Sequence, residues 1–377
     1  MKITGLKSLI LLLAAPAALC LVSCEKNSDG REDEKELALQ AVNEQFVDGT
    51  VIPTYKALAD KSIELYNAVS ALGRTTDEPS VAAACALWKE ARRYWEWSEA
   101  FLFGAASKYY IDPHIDTWPL DKVALSNLLS SDKMMEDIEN VVTNLNNGLV
   151  GFHGLEYIIF RDGKNRPSSE MTSDELRYAE AVAKDLAISA ARLEAAWAGI
   201  DAVSAEKAEL IEEAELAPAD NFGEQMKLCG KPGSVWKSVT AGSEQIIEGC
   251  KDIIDEVGNS KIGKPYSGED VNYIESPHSY NSITDFYDNV VSIRNAYFGK
   301  LGATAAEPHS VSAYLRGVDA EADQGVIDAI EECLSKIDAM PRPFVLNYRD
   351  DKVKEAIEAC DALNTALEAA RQALINA

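Results

Sequence analysis

Helical periodicity is the feature that most constrains how this chain can fold. Alanine, leucine, glutamate and lysine fill long stretches in which apolar residues recur every three or four positions, and period-two alternation is scarce. This spacing lines apolar side chains along one face of an α-helix. Helices are predicted over 36–72 (bent at Pro53), 81–107, 122–146, 153–160, 173–198, 205–215, 221–229, 234–257, 282–298, 321–339 and 350–375. The sequence therefore predicts an all-α protein.

The distribution of these segments predicts two helical-bundle domains. A chain of 377 residues is long enough for both. Each half offers about four long helices, the number that closes a bundle around one core. The two halves also show a weak internal similarity, because a predicted aromatic-rich helix ends in Phe-Gly at 103–104 and another does so at 298–299. We therefore predict a duplicated four-helix bundle, with an N-terminal bundle over 36–200 and a C-terminal bundle over 201–377.

The N-terminal segment has the features of a lipoprotein signal. Residues 1–23 combine Lys2 and Lys7 with a short apolar stretch, and Leu-Val-Ser-Cys ending at Cys24 resembles a lipobox. An ordinary secretory signal with an incidental cysteine is the alternative. Residues 24–35 are polar and acidic, which predicts a flexible tether. We therefore predict a lipid anchor as the sole membrane contact, in the outer membrane with the protein at its periplasmic face or at the cell surface.

Net charge excludes one class of partner. A formal charge of −26 leaves no basic stripe that could replace counterions on phosphates, so no nucleic-acid partner is expected. An acidic surface also raises the local concentration of cations, which suits a metal-handling protein. Plain solubility explains the same charge equally well.

Cysteine usage indicates reduced, buried thiols. Apart from Cys20 and Cys24, the chain contains Cys85, Cys229, Cys250, Cys333 and Cys360. Their number is odd, none belongs to a C-x-x-C pair, and each lies in apolar or helical sequence. We predict free thiols that pack as small apolar side chains, with disulfides as the alternative.

The segment GFHGLE at 151–156 contains the main candidate for a metal site. The chain has only 4 histidines, and His153 is followed three positions later by Glu156. On a helix these side chains share one face, so an imidazole nitrogen and a carboxylate can converge on one ion. The alternative is a hydrogen bond on the helix surface. A tight site needs three or four ligands, so the others must come from elsewhere in the chain.

Two segments interrupt the helical pattern and are predicted to be long loops. Residues 109–121 and 258–281 are rich in proline, glycine, aspartate and tyrosine, and they carry His114 and His278. Long irregular loops in a helical protein usually build a site or a lid. Packing between the two bundles is the alternative role.

Four sequence blocks resemble the imelysin family. They are WKEARRYWEWSEAF at 88–101, DPHIDTWPLD at 112–121, G-x-H-x-x-E with the following YIIF at 151–160, and ESPHSYNS at 275–282. The resemblance implies two helical bundles with the functional motifs gathered between them. It also implies a bacterial envelope protein of iron uptake, from a family once classed as metallopeptidases.

The resemblance also implies a set of site residues. His153 and Glu156 are the expected metal ligands, with Glu99 as the third, although Glu99 could instead pair with Arg92 or Arg93. Weaker candidates are Asp116, Asp121 and Glu275. From the residues themselves, a ligand pocket is expected to comprise Arg92, Trp118, Ser276, Ser279 and Asn281, with loop and N-cap roles as the alternative for the serines and the asparagine. Imidazole and carboxylate ligands suit iron, zinc or manganese, and the family context favours iron, with zinc as the alternative.

The sequence thus predicts a lipid-anchored protein that binds a metal ion or a metal-bearing ligand and serves iron uptake with an envelope transport partner. One alternative is a metallopeptidase, but the chain has neither the H-E-x-x-H of zinc peptidases nor the G-x-S-x-G of serine hydrolases. The other alternative is a scaffolding or adhesive lipoprotein without a metal.

Overall fold

The computed structural model describes residues 29–377, and within them nearly all regular structure is helical. The α-helices are α1 (Asp29–Phe46), α2 (Ile52–Arg74), α3 (Glu78–Glu96), α4 (Ala105–Lys108), α5 (Ile111–Ile115), α6 (Lys122–Leu129), α7 (Asp132–Glu136), α8 (Ile138–Thr143), α9 (Gly151–Ile159), α10 (Ser173–Ala198), α11 (Ala205–Glu213), α12 (Phe222–Lys227), α13 (Val239–Asp255), α14 (Gly263–Ser267), α15 (Ser282–Phe298), α16 (Val311–Val318), α17 (Ala320–Asp338), α18 (Phe344–Asn347) and α19 (Asp351–Asn376). The prediction of an all-α fold is confirmed.

Shorter elements connect or extend these helices. The π-helical segments are Val47–Val51 and Glu256–Ile262. The 3₁₀ turns are Glu99–Phe101, Asn147–Leu149, Ser168–Glu170 and Ile200–Ala202. The strands β1 (Phe160–Arg161) and β2 (Lys164–Asn165) form one antiparallel hairpin after α9.

Helix α2 packs against both α3 and α10, and the three form a first group, with α9 lying on α3 and α10. Helix α10 begins with a capping box, in which the Thr172 hydroxyl accepts from the Glu175 N–H and the Glu175 carboxylate accepts from the Thr172 N–H. The apolar face of α3 buries Trp88 and Trp95 completely. Burial of one such large apolar side chain contributes roughly 1.5–3 kcal/mol, so this stripe fixes how α3 is oriented.

Helices α13, α15, α17 and α19 form a second group, in which each packs against two others. Cys333 of α17 and Cys360 of α19 lie side by side, with their sulfur atoms 3.7 Å apart. All five cysteines of the described residues are buried and free, as the sequence predicts.

The two groups share one continuous apolar core. Helix α15 of the second group packs on α3 of the first, and the Trp97 indole N–H donates to Asp288 Oδ1 at 2.7 Å across this contact. The N-terminal helix α1 packs against α13, so it lies on helices of the C-terminal half. The predicted boundary between two bundles at residue 200 stays a prediction.

Several predicted boundaries differ from the structure. Residues 29–35, predicted as flexible tether, belong to α1, whose Lys35 Nζ donates to the Ile375 carbonyl at 3.0 Å. The predicted helix over 122–146 is divided into three short helices, because Ser131 caps a new helix by accepting from the Met134 N–H. The predicted signal peptide, the predicted lipidation site Cys24 and residues 25–28 lie outside the described residues.

The two predicted loops are also partly helical. Helix α5 lies within 109–121, and the segment 258–281 begins with the π-helical continuation of α13 and then α14. The prediction missed this continuation because Gly258 and Gly263 break the usual composition of a helix. Among the described residues, no helix combines the length and the apolar character that crossing a membrane requires.

Candidate metal centre

The glycines of the segment 151–156 determine how α9 packs. Gly151 has φ 73°, and a side chain there would overlap the backbone of Ile115. A side chain at Gly154 would come within 2.5 Å of the Tyr178 hydroxyl, which donates to the Leu149 carbonyl. The glycine at 151 therefore lets α5 approach α9 closely. This approach brings Asp116, directly after α5, to His153.

His153 lies between two carboxylates. Its side chain is buried, with Nε2 3.1 Å from Asp116 Oδ1 and Nδ1 3.4 Å from Glu156 Oε2. Nε2 nevertheless makes no hydrogen bond within the described part of the chain. Burial disfavours the charged imidazole, but Asp116 and Glu156 outweigh this effect and raise the pKa of His153 to about 9. The ring is therefore protonated at neutral pH unless another cation takes the place of the proton.

Glu156 is held by the loop that precedes α15. Its Oε1 accepts from the backbone N–H groups of His278 at 2.8 Å and Ser279 at 2.7 Å, and from the Ser279 hydroxyl at 2.8 Å. Ser276 and Tyr280, which flank these donors in the loop, have φ 47° and 59°, a strained conformation for residues other than glycine. Burial works against ionisation, but His153 and these donors lower the pKa of Glu156. Glu156 is thus an ionised anchor for the imidazole.

Arg92 of α3 neutralises part of the buried acid. It contacts the carboxylates of Glu96, Asp116, Glu275 and Asp285, with 2.6 Å between Nη2 and Glu275 Oε1. Its whole side chain is inaccessible to solvent. Burial opposes ionisation of Asp116, but the positive charges of Arg92 and His153 keep the pKa of that carboxyl well below its usual range.

Lys261 adds a second buried cation from the π-helical segment. Its Nζ lies 3.1 Å from Glu275 Oε1 and 3.8 Å from Glu96 Oε2. It also lies 5.1 Å from the centre of the Trp118 ring, within the range of a cation–π contact. Lys261 and Arg92 therefore hold the same carboxylate, Glu275, from two sides.

Carboxylates still outnumber cations in this interior. Those in or beside it are Glu96, Glu99, Asp112, Asp116, Glu156, Glu256, Glu275 and Asp285. Burial raises the pKa of Asp285 to about 7 despite the nearby Arg92, and burial with neighbouring carboxylates raises the pKa of Asp112 to about 7. The same desolvation raises the pKa of Glu96 and that of Glu99. The interior can therefore accept further positive charge.

Three ligand atoms converge in a way that fits a metal ion. One atom each from Asp116, His153 and Glu275 lies within 4.8 Å of the other two. Arg92 and Lys261 occupy Glu275 Oε1, whereas Glu275 Oε2 is buried without a hydrogen-bond partner among the described residues, as is His153 Nε2. Metal–ligand bonds of about 2.0–2.2 Å place neighbouring ligand atoms roughly 3–3.5 Å apart, close to the His153–Asp116 separation.

A cleft of about 390 Å³ leads to this cluster. His153 and Glu156 line it, Lys122 and His278 add basic groups, and the apolar walls come from Trp118, Leu120, Val271, Ile274 and Val345. The Trp118 ring centre lies 5.9 Å from that of His153 and 5.2 Å from that of Tyr273. The arrangement offers imidazole and carboxylate ligands in a buried acidic setting, at one end of a mostly apolar cleft.

Comparison with known proteins gives the family of the chain. A sequence model of the family Imelysin matches residues 51–370. The chain belongs to the imelysin family. The resemblance seen in the sequence blocks is therefore confirmed.

Two relatives of this imelysin carry names that refer to iron. The chain is 26% identical over 256 residues to iron-regulated protein A of Synechococcus elongatus, a match that covers 68% of this chain and 63% of that protein. It is also similar to the crystal structure of a putative iron-regulated protein A precursor from Parabacteroides distasonis, with a TM-score of 0.78, 28% identity and coverage of 90% and 95% of the two chains. The chain is thus an imelysin related to iron-regulated proteins.

A more distant structure supports the fold alone. An imelysin-like protein from Psychrobacter arcticum has a TM-score of 0.63 and 12% identity, with coverage of 88% of this chain and 93% of that one. The helical architecture is therefore shared across widely different imelysin sequences.

The structure brings most of the predicted site residues together. The three converging ligands are His153, Asp116 and Glu275. Glu156 and Trp118 line the cleft, Arg92 binds Glu275, and Ser279 binds Glu156. Ser276 lies in the loop that binds Glu156, and Asn281 donates to Asp285 Oδ1 at 2.6 Å. Ser279 and Asn281 thus bind carboxylates, whereas the buried Ser276 hydroxyl has no hydrogen-bond partner among the described residues.

Two predicted ligands of this imelysin lie outside the set His153, Asp116 and Glu275. Asp121 is exposed and caps α6 by accepting from the Ala124 N–H at 2.9 Å. Glu99 lies beside Asp116 but faces a different cavity, and it does not pair with Arg92, which contacts Glu96 on the same helix instead. His114 pairs with Asp185 at 2.7 Å, away from the cluster.

Sequence reasoning missed Lys261, Glu96 and Asn289. Asn289 of α15 donates to Glu96 Oε2 and so ties the two helix groups together beside Arg92. The pairing of Glu96 with Arg92 could have been predicted, because the two residues lie four positions apart on one face of a predicted helix. No comparable spacing pointed to Lys261, since its segment reads as a glycine-containing loop.

Proposed function

We propose that this imelysin binds a metal ion at His153, Asp116 and Glu275, and that iron is the ion it carries. The observation that supports this most strongly is His153 Nε2, which is buried, has no hydrogen-bond partner among the described residues and faces a carboxylate oxygen at 3.1 Å. Within the described residues Nε2 has the ion pair with Asp116, and a metal ion placed there would satisfy it together with the unpartnered Glu275 Oε2. The names of the two relatives favour iron over zinc.

In this proposal Glu156 orients the imidazole instead of binding the metal. Its Oε2 faces Nδ1, and a carboxylate on that nitrogen fixes the ring and makes Nε2 a stronger donor to a metal. Its Oε1 is already used by three donors from the loop 275–281. The motif His-x-x-Glu therefore supplies one ligand and the group that positions it.

Arg92 and Lys261 hold the carboxylate ligands ready for an ion. Each contacts Glu275 Oε1, which leaves Oε2 for the metal, and Arg92 also fixes Asp116. Two fixed cations reduce repulsion among the carboxylates, and carboxylates whose pKa is raised by burial can release a proton when a divalent or trivalent ion enters. The cleft beside His153 leaves room for water or for a ligand that brings the metal.

Metal binding should weaken as the pH falls. Because His153 has a raised pKa of about 9, an ion that binds Nε2 at pH 7 must displace a proton. We expect affinity to drop by up to about tenfold for each pH unit below 8, with about one proton released per ion. Calorimetry of chelator-free protein in buffers of different ionisation enthalpy measures both quantities. Affinity independent of pH, or no binding of Fe²⁺ or Zn²⁺, would contradict the proposal.

A metallopeptidase is the alternative that the family's history raises. A hydrolase of this kind needs a carboxylate free to take a proton from metal-bound water. Glu156 is buried and bound by three donors, which favours a binding role. We therefore expect no metal-dependent cleavage of a broad peptide library by protein loaded with iron or zinc. Cleavage that persists after removal of contaminating proteases and is lost in Glu156→Gln would establish the peptidase.

We also propose that Cys24 carries the lipid that anchors the protein in the cell envelope, where an iron-transport partner would receive the ion. The support is the sequence at 21–24, which resembles a lipobox after a short apolar stretch. Cys24→Ala should remain unprocessed or become soluble in cell fractionation and detergent partitioning. A mature Cys24→Ala protein that still partitions with membranes would rule the anchor out.

A further inference from the structure

A second cavity lies beside the metal cluster and is lined by acid. It has a volume of about 180 Å³ and shares Asp116 with the cluster and Trp118 with the cleft. Four acidic residues line it: Glu99, Asp112, Asp116 and Glu256. The other lining residues are Pro113, Thr117, Trp118, Lys261 and Tyr273. We refer to this cavity as the acidic chamber.

The central observation is the state of Glu99. Only 6% of this residue is exposed, and its carboxylate makes no hydrogen bond or ion pair with any described residue. It faces the chamber, with an oxygen within 4.8 Å of oxygens of Asp116 and Glu96. A buried carboxylate in this position is costly unless a cation or a proton accompanies it.

The other carboxylates of the chamber add to this demand for positive charge. The carboxylates of Asp112 and Glu256 also form no hydrogen bond or ion pair with any residue in the range 29–377 that the structure describes. The lining contains one basic residue, Lys261, but its Nζ lies 3.1 Å from Glu275, outside this set. The charge of Lys261 acts on Glu99, Asp112 and Glu256 across the chamber, but none of these three carboxylates has a direct contact with a basic group of the described chain.

The lining identifies the chemistry of the ligand. All candidate donor atoms are oxygens, which suit hard cations such as Ca²⁺, Mg²⁺ or Mn²⁺ and not ions that need imidazole or thiolate. At about 30 Å³ for each water, the cavity of 180 Å³ holds roughly six, enough for a cation that keeps part of its hydration shell. An anion or an apolar molecule would meet repulsion or an unfavourable polar lining.

We propose that the acidic chamber is a second cation site, which binds a partly hydrated hard divalent cation through Glu99 and Asp116, with Asp112 and Glu256 in its outer sphere. The site is distinct from the one at His153 because it contains no imidazole. The two sites touch through Asp116, so occupancy of one affects the other. The chamber thereby gives Glu99 a role in cation binding that does not require contact with His153.

The test is a titration of the full chain with Mn²⁺, followed by electron paramagnetic resonance and calorimetry. The wild type should bind two ions, and Glu99→Gln should lose at least about tenfold affinity at one site while it keeps the other. His153→Ala should show the reverse pattern. Asp255→Asn is the matched control, because Asp255 is exposed next to Glu256 and bonds to Asn259. The control should bind both ions like the wild type.

The two proposals fail in different ways in this titration. If Glu99→Gln binds Mn²⁺ like the wild type while His153→Ala binds none, the chamber proposal is overturned and the His153 site stands. If Glu99→Gln loses the ion and His153→Ala binds like the wild type, the chamber stands and the proposed function fails.

Folding of the Glu99 variant provides a second readout. Because the Glu99 carboxylate is buried without a partner, Glu99→Gln should raise the melting temperature of the metal-free protein. A role confined to structure predicts the opposite. A lowered melting temperature in Glu99→Gln would therefore count against the chamber.

Discussion

Replacing Arg92 with methionine is expected to lower the free energy of unfolding by about 3–5 kcal/mol, because removal of one partner from a buried ionic network leaves uncompensated charge. Arg92 is inaccessible to solvent and contacts four carboxylates contributed by α3, α15 and two loops. Methionine retains much of the volume, so the expected loss comes from charge and hydrogen bonding. Urea denaturation at pH 7 followed by circular dichroism measures it.

Arg93→Met is the matched control for this prediction. Arg93 is the next residue on α3 but is exposed, and its guanidinium lies over the rings of Tyr94 and Trp97. Loss of such a surface contact should cost about 1 kcal/mol or less. If the two substitutions lower the free energy of unfolding equally, Arg92 does not stabilise the four carboxylates that it contacts.

Replacing His153 with alanine is expected to weaken metal binding by at least about tenfold, since it removes one of few ligands and the only nitrogen among them. His153 Nε2 lies 3.1 Å from Asp116 Oδ1, and a ring nitrogen of His153 lies within 4.8 Å of oxygens of Asp116 and Glu275. Far-UV circular dichroism should remain helical, because α9 keeps its apolar contacts with α3 and α10. Calorimetric titration with Fe²⁺ under anaerobic conditions, and with Zn²⁺, measures the change.

His309→Ala is the control, because His309 is an exposed histidine that could bind metal adventitiously. Its affinity should equal that of the wild type. The metal affinity of Glu156→Gln should lie between those of His153→Ala and His309→Ala. The amide oxygen can still accept from the loop, but it carries no charge opposite Nδ1. If His153→Ala binds as tightly as His309→Ala, the assignment of the metal centre is wrong.

The fold class and part of the candidate site could be predicted from the sequence because those features are local. Helical periodicity requires only neighbouring residues, and the spacing of His153 and Glu156 places them on one side of α9 wherever that helix lies. The segment 112–121 also pointed to Asp116. Asp116 and Glu275 ranked as weaker candidates than Glu99, because no local pattern shows which carboxylate reaches a distant imidazole.

Glu99 and Lys261 show where local patterns fail. Helix α3 ends at Glu96, and the 3₁₀ turn Glu99–Phe101 directs Glu99 into the acidic chamber. Lys261 lies in a π-helical segment, which changes the angular position of each residue relative to an α-helix and buries this lysine. Both positions depend on tertiary packing around the cluster, so periodicity alone could not assign them.

An anomalous difference map tests the metal centre most directly. Crystals of chelator-free protein would be loaded with Fe²⁺ anaerobically, and diffraction data collected on both sides of the iron absorption edge. We expect a peak about 2.0–2.2 Å from His153 Nε2, with Asp116 and Glu275 oxygens completing the contact. No iron peak at His153 under saturating metal, or peaks confined to the protein surface, would contradict the account.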